Sequence, residues 1–407
     1  MTAAARIFNI FFVFLLKING RIGNPPLLYY VKNSSKGGFF TRKYEIDNLR
    51  SFTIVMVVIY HVIYMFSSVI PAGVIGPIMD AVWLDVISYF LYPWFMLILF
   101  LISGMCARFY LESHSDREFL KARTRKLLVP STIGVLVFGW AQGYFNMAIG
   151  HAFDSMPGLP KPVLYLILCV SGTGVLWTIQ VMWVLSLVLL LIRKVEKGRL
   201  VKYGAKANIF LLILLGILVW GAAQILNTPV IAVYRFGIYG AGFLLGYFVF
   251  SHDEVTDQLK KYAVPLLAAA LVLGASYTYR HFGSNYAEAP AVNCPLAISY
   301  AWMMCLALLG CFKKWFSHRS RLGDFAAKKS FGLYIFHYLA LSSSAYYLTR
   351  YTFLPGIVIY LLVTIAAFAG GLLLYEVISR IPLLRWCVLG VRRKPLKIQD
   401  KENKLYV

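Results

Sequence analysis

The sequence predicts an all-α polytopic membrane protein with about ten transmembrane helices and with both termini in the cytoplasm. Three observations support this fold class: the composition, a series of apolar runs of spanning length, and the distribution of basic residues between them. Apolar and aromatic residues make up 60% of the chain and charged residues only 14%, and the mean hydropathy is +0.70. A soluble domain usually has about 25% charged residues. This chain of 407 residues has too few charged side chains to form a water-soluble surface.

Ten apolar runs have about the length that a helix needs to cross the hydrocarbon core of a bilayer. They lie near residues 48–70, 83–106, 127–149, 173–192, 208–226, 230–250, 262–280, 295–312, 331–348 and 355–378. A shorter apolar piece at 162–170 is expected to form a re-entrant or surface helix. The runs divide the chain into an N-terminal arm (1–41) that is interfacial or mobile, a membrane domain (42–380) and a basic cytoplasmic tail (381–407).

The positions of the basic residues predict the orientation. With the N-terminus in the cytoplasm, 36 of the 40 Lys and Arg residues fall in segments assigned to the cytoplasmic side. The other four are assigned to the outside or to the outer ends of helices: Lys161, Arg235, Arg280 and Arg350. This is the asymmetry of the positive-inside rule. The rule also explains the formal charge of +23. A nucleic-acid-binding protein would instead present its basic residues on a solvated face.

The six cysteines are mostly within or beside apolar runs. They form no Cys-x-x-Cys pair and no Cys/His spacing typical of a metal site, so we expect neither disulfides nor a bound metal. No cleavable signal peptide precedes the first spanning run, which is therefore expected to serve as the targeting signal.

The first run carries two ionisable residues on one face. Arg50 and His61 are eleven residues apart, which leaves them about 20° out of phase and about 16 Å apart along a helix. We expect Arg50 at the cytoplasmic mouth and His61 near the bilayer midplane. An ionisable residue at that depth indicates a functional site. The alternatives are a histidine that hydrogen-bonds between helices, and a structural ion pair between Asp47 and Arg50.

Two other segments carry candidate site residues. His337 lies in the ninth run, in SFGLYIFHYLA, with Tyr334 one turn before it, where the tyrosine either serves the site or packs. Arg123 and Arg125 lie in KARTRKLLVP at the predicted cytoplasmic face. The planar fork of arginine suits phosphate, although an ordinary positive-inside loop would also contain them.

The order of these motifs resembles that of a known family. The motifs are YEIDNLR with His61, FLISG (100–104), FLKARTRKLLVP, LWTIQVMW (176–183) and SFGLYIFH. From about Tyr44 to about Tyr375 the chain resembles the membrane-bound acyltransferase-3 family, and its spacing is nearest to the branch that includes the osmoregulated periplasmic glucan succinyltransferases. The motif around Trp177 is only partly kept, because Thr178, Ile179 and Gln180 follow the tryptophan.

The resemblance implies transfer of an acyl group from cytoplasmic acyl-CoA, either acetyl-CoA or succinyl-CoA, to a hydroxyl of an extracytoplasmic glycan or related acceptor. It implies a multi-pass protein of the bacterial cytoplasmic membrane, with acyl-CoA as a donor substrate and no permanently bound cofactor.

The resemblance also assigns roles. Arg50, Arg123 and Arg125 would bind the phosphates of CoA. His61 would act as the base that deprotonates the acceptor, or as the carrier of a covalent acyl group, and His337 would orient it or polarise the thioester. Trp177, Gln180 and Tyr334 would line the substrate tunnel.

Three alternatives stay open. A secondary transporter would also have buried ionisable groups, although the chain shows no internal repeat of the kind common in transporters. A non-catalytic membrane scaffold would not need Arg50 and His61 on one face of the helix. Within the family, a succinyl donor would need a cation for its distal carboxylate, for which Arg235 is a candidate unless it only snorkels to the interface.

Overall fold

The computed structural model describes residues 30–32, 40–227 and 234–391, and most of them are helical. Strands β1 (Tyr30–Lys32) and β2 (Phe40–Arg42) pair antiparallel, with Val31 opposite Thr41. The helices are α1 (Tyr44–Met65), α2 (Asp85–Leu111), α3 (Asp116–Ile149), α4 (Lys161–Ser171), α5 (Trp177–Glu196), α6 (Arg199–Gly204), α7 (Ile209–Ala223), α8 (Phe236–Phe250), α9 (Asp253–Lys261), α10 (Ala263–His281), α11 (Pro295–Trp315), α12 (Arg321–Tyr351), α13 (Gly356–Arg380) and α14 (Pro382–Leu389). An all-α polytopic membrane protein is confirmed.

Within the described ranges, seven helical stretches are long and apolar enough to cross a membrane. They are α1, α2, α3, α5, α10, α11 and α13. The other three predicted runs coincide with α7 and α8, which are shorter, and with α12, which is long but more polar. The count of ten therefore stays a prediction.

Both predicted terminal segments lie largely outside the described residues. Only 30–32 and 40–41 of the predicted arm (1–41) are described. Of the predicted tail (381–407), residues 392–407 are outside, whereas α14 packs against the membrane domain. A Cβ on Gly134 would lie 2.9 Å from the carbonyl oxygen of Cys387. The packed structure thus continues past residue 380.

Helix α2 forms the centre of the bundle. From Trp94 to Ala107 every residue is buried, as expected for a helix that is apolar on all sides. Glycines let α8 approach it closely. A Cβ on Gly104 would lie 1.9 Å from the carbonyl oxygen of Phe243, and a Cβ on Gly246 would lie 2.0 Å from that of Leu101. Small residues at such crossings allow membrane helices to pack backbone to backbone.

The predicted short helix at 162–170 is α4, which packs along the second half of α3. The contact again depends on glycine, since a Cβ on Gly143 would lie 1.8 Å from the carbonyl oxygen of Leu168. A Cβ on Gly172 would lie 1.8 Å from the carbonyl oxygen of Gly139. α3 and α4 therefore form a tightly packed helical hairpin.

Ion pairs join the ends of helices that the sequence assigns to the cytoplasmic side. Lys43 binds Asp253 at 2.6 Å, and Lys313 binds the same carboxylate at 2.8 Å. Burial raises the pKa of Asp253, but its hydrogen bonds from Lys313 and Lys43 outweigh this, so that the pKa lies below the ordinary value. A further ion pair joins Arg193 on α5 to Asp116 at the start of α3.

Contacts also join segments that the sequence assigns to the outside. The Ser68 hydroxyl donates to Asp85 at 2.6 Å, and Tyr89 donates to the carbonyl of Ser284 at 2.5 Å. Contacts thus join helix ends at each of two sides of the bundle, while the number of spans, the topology and the orientation in the membrane stay predictions.

Candidate functional site

The two predicted histidines meet because α1 and α12 are held in register at their first turns. Arg42 donates to Asp47 and to Asp324 at 2.6 Å each. His61 follows Asp47 by 14 residues, and His337 follows Asp324 by 13. At a rise of 1.5 Å per residue these separations are about 21 and about 20 Å. The imidazoles therefore lie at one level, with His337 Nε2 3.2 Å from His61 Nδ1.

Hydrogen-bond partners define the tautomers of the pair. His337 Nδ1 lies 2.9 Å from the carbonyl oxygen of Tyr334 and 3.1 Å from that of Leu333, so this nitrogen carries a proton. His337 Nε2 then accepts from His61 Nδ1–H, which also lies 2.8 Å from the carbonyl oxygen of Val57. This assignment, inferred from the network, leaves a lone pair on His61 Nε2. In this arrangement the available lone pair belongs to His61, whereas both ring nitrogens of His337 have partners.

Aromatic rings enclose the pair. His337 is fully buried and His61 is partly buried. The His61 ring lies 5.1 Å from the rings of Tyr60 and Tyr338, and 6.2 Å from the ring of Tyr64, measured between centroids. Such a site excludes much of the water that would otherwise compete for a reactive group.

A cleft opens beside this aromatic enclosure. It lies between α3, the segment that joins α4 to α5, and α12, and its enclosed volume of about 30 Å³ is small. Its lining includes Gly134, Gln142, Gly174 and Tyr338. Because the ring of Tyr338 contacts both the cleft and His61, the cleft reaches the immediate neighbourhood of the imidazole pair.

The helix α1 is shorter at its outer end than the apolar run predicts. It ends at Met65, whereas the run continues to residue 70. His61 is therefore one turn from the last residue of the helix, and Arg50 lies about two turns from the first. The depths of the two residues in the membrane stay predictions. The two residues still share one helix.

A cluster of cations lies near Arg50. Arg50 donates to Asp47 at 2.9 Å, so the structural ion pair considered from the sequence is present. Asp47 also accepts from Arg42, and its single charge is thus shared. Lys126 lies close enough to Arg50 and Arg125 for both to repel its ammonium group, and it sits over the ring of Phe331 at 5.6 Å. These like charges favour a multiply charged anion between them.

The structure separates the two arginines of KARTRKLLVP. Arg125 is exposed. Arg123 donates to both the hydroxyl and the carbonyl oxygen of Ser103 at 3.1 Å, and lies over the ring of Phe119 at 5.1 Å. Arg123 therefore ties α3 to the FLISG segment of α2, whereas Arg125 and Lys126 lie with Arg50. The sequence alone does not distinguish Lys126, because four of the six residues in KARTRK are basic and only their positions on the folded helix separate them.

The predicted tunnel residues occupy two places. Trp177 contacts the rings of Phe100 and Tyr239, with centroids 6.4 and 5.5 Å away. Gln180, one turn later on α5, accepts from the Tyr234 hydroxyl at 2.5 Å. Both are partly buried and lie beside an aromatic group.

Tyr334 is buried, and its hydroxyl donates to the carbonyl oxygen of Val175 at 2.7 Å. This bond fixes the turn that precedes α5 against α12. The packing role considered for Tyr334 is thus present, and its backbone carbonyl also accepts from His337.

All six cysteines are free thiols. Within residues 30–32, 40–227 and 234–391, no group of three or more metal-ligating side chains lies together.

Comparison with known proteins gives one family. A family described as an acyltransferase domain, acyltransferase-3, matches residues 43–376, which is most of the chain. The curated proteins and the solved structures with which the sequence was compared contain no significant match. The matched region includes both histidines, the cation cluster and the predicted tunnel residues.

Proposed function

The chain belongs to this acyltransferase family, and on that premise we propose that it moves an acyl group, acetyl or succinyl, from cytoplasmic acyl-CoA to a hydroxyl of an extracytoplasmic glycan or related acceptor. The observation that carries the proposal is the contact between His337 Nε2 and His61 Nδ1, which leaves the other nitrogen of His61 as a base. We place the protein in a bacterial cytoplasmic membrane and, on the spacing of its motifs, in the glucan succinyltransferase-like branch of the family.

The cation cluster is suited to the donor. CoA carries several phosphates, which cannot enter hydrocarbon and which pair well with arginine and lysine. Arg50, Arg125 and Lys126 would bind them at the inner end of α1, with Arg123 holding the helix that presents them. His61 lies about 16 Å further along α1. The extended pantetheine arm would cover this distance and bring the thioester to the imidazole.

The chemical step follows from the assigned tautomers. His61 Nε2 takes the proton of the acceptor hydroxyl as its oxygen attacks the thioester carbonyl carbon, and a tetrahedral intermediate forms. The carbon–sulfur bond then breaks. The departing CoA thiolate receives the proton from His61, which returns the imidazole to its neutral state. General base catalysis of this kind contributes about 10²- to 10⁴-fold in rate.

His337 contributes by positioning. Its Nε2 and the carbonyl of Val57 hold the Nδ1 proton of His61, so that the basic nitrogen faces away from both. When His61 becomes an imidazolium, the same two acceptors stabilise its charge. His337 would thus orient the base His61, as a third group orients the base in other nucleophile–base arrangements.

Mass spectrometry of cell-surface glycans tests the proposal. Cells that produce the protein should carry an ester-linked acyl group that cells without it lack, and the mass gain identifies acetyl or succinyl. His61→Ala should abolish the ester with little change in expression or melting temperature. His318→Ala is the matched control, because His318 is exposed and lies before the first turn of α12, more than five turns from His337. An ester that persists with His61→Ala would remove the catalytic assignment.

A further inference from the structure

Arg235 is a buried cation without a carboxylate partner among the described residues. It is 6% exposed, and it lies immediately before α8. Its guanidinium donates to Asn293 Oδ1 at 2.5 Å and to the carbonyl of Val292 at 3.4 Å, while its Nε has no hydrogen-bond partner. Residues 228–233, which precede it and lie outside the described residues, contain no acidic side chain. A buried charge without a counter-ion is costly.

The same residue lies at the level of the histidine pair. Arg235 precedes Ser251 by 16 residues, or about 24 Å of helix, and His61 follows Lys43 by 18, or about 27 Å. Lys43 forms an ion pair with Asp253, which is two residues after Ser251. Lys43 and Ser251 are therefore at about the same depth, and both helical distances are measured from there. Arg235 and His61 are therefore at similar depths in the bundle.

Aromatic residues connect the two positions. Arg235 interacts electrostatically with the hydroxyl of Tyr92. The ring of Tyr92 lies 5.8 Å from the ring of Tyr60, which lies 5.1 Å from the ring of His61. Arg235 also interacts with Tyr239, which packs on Trp177. The guanidinium is thus at the far side of the aromatic group that surrounds the site.

We propose that Arg235 binds an anionic group, a carboxylate or a phosphate, of one of the two substrates. The proposal rests on the proposed acyl transfer. Two sources supply such a group: the distal carboxylate of a dicarboxylic acyl group, such as succinyl, or an anionic group on the acceptor. Either would give the guanidinium the anionic partner that it lacks among the described residues, through charge-assisted hydrogen bonds.

Binding to the full chain in lipid nanodiscs tests the proposal, with the shift in melting temperature as the readout. In the first arm the probes are succinyl-CoA and butyryl-CoA, which have the same number of acyl carbons and differ in the terminal carboxylate. In the second arm inorganic phosphate and acetate are each compared with chloride at equal ionic strength. The variants are Arg235→Gln, Arg235→Lys and, as a matched control, Arg280→Gln, which removes an exposed arginine assigned to the same side.

We expect the wild type to bind the anionic probe more tightly in one arm. The dissociation constant, obtained from the concentration dependence of the shift in melting temperature, should be lower by about 10- to 100-fold. Arg235→Gln should remove the preference, Arg235→Lys should keep part of it, and Arg280→Gln should keep all of it. A preference in the first arm assigns the anion to the acyl group, and one in the second assigns it to the acceptor.

A wild type without preference in either arm overturns the proposal even if Arg235→Gln fails to fold. So does a preference that survives Arg235→Gln. The readout needs no turnover, so a protein that binds donors with this preference but releases no CoA contradicts the proposed function and leaves the role of Arg235 standing.

Discussion

His61 and His337 are the same residue type, and their surroundings give them different roles. Both ring nitrogens of His337 are engaged, one by two backbone carbonyls and the other by His61. His61 uses only Nδ1. A group whose two nitrogens are both engaged can orient a partner, but it has no lone pair to offer to a substrate.

Replacing His337 with Ala should therefore lower kcat by about 10²-fold or more and leave the KM for acyl-CoA nearly unchanged. The physical reason is that His61 loses the acceptor that fixes its tautomer, while the cations proposed to bind CoA are intact. CoA release followed at several pH values gives both constants and their profile. An unchanged kcat, with His318→Ala as the reference, would rule out the positioning role.

Lys126 gives a second prediction at this scale. Lys126→Gln and Arg50→Gln should each raise the KM for acyl-CoA by about 10-fold or more, with a smaller effect on kcat, since each removes a charge-assisted contact with phosphate. Lys202, an exposed residue assigned to the same side, provides the control Lys202→Gln. Equal KM values for all three variants would show that the donor binds elsewhere.

At the scale of the elements, the register of α1 and α12 decides whether the histidines meet. Arg42 binds the first turns of both helices, whereas Arg319 binds Asp324 alone and is exposed. An exposed ion pair contributes little. The partly buried bridge from Arg42 links two helices, so its loss affects their relative position.

Arg42→Ala should therefore reduce both the melting temperature and CoA release, although Arg42 is about 20 Å from the histidines. Arg319→Ala removes a bond to the same carboxylate without uncoupling the helices, and it should resemble the wild type. Thermal denaturation and CoA release, measured on the same preparations, compare the two variants. Equal behaviour of the two variants would mean that packing alone sets the register.

The apolar runs predict the positions of most helices but misplace some ends. α12 begins at Arg321, ten residues before the apolar run that starts at 331. The run misses these residues because the first turns of the helix contain charged side chains, which hydropathy excludes from a span. The structure pairs two of them: Asp324 binds Arg42, and Lys329 binds Glu376 on α13. α1 ends early because the apolar residues after Met65 form a connection that packs on the bundle.

The contact between the histidines could not be predicted in the same way. Helical spacing places Arg50 and His61 on one face, since they belong to one helix. His61 and His337 are 276 residues apart in the sequence, and only the ion pairs at the first turns bring them level. Lys126 was missed for a similar reason, because its neighbourhood includes a residue of another helix, Arg50.

At the scale of the whole molecule, contacts place the ends of helices in two groups, and the charge distribution predicts which group is cytoplasmic. Ser113 and Ser284 are exposed residues of opposite groups. In a Cys294→Ser background, Ser284→Cys should react with a membrane-impermeant maleimide in intact cells. Ser113→Cys should react only after permeabilisation. The reverse pattern would invert the orientation and place the cation cluster on the side without CoA.

The central claim is that acyl-CoA on the cytoplasmic side is consumed at the histidine pair, and not that a solute is transported. Inside-out vesicles expose that side to added acyl-CoA labelled in the acyl group, so released CoA thiol and retained label can be measured together. The account predicts that the wild type releases CoA as label becomes ester-linked in the vesicles, and that His61→Ala does neither. Uptake of a solute without release of CoA, or unchanged release by His61→Ala, would contradict it.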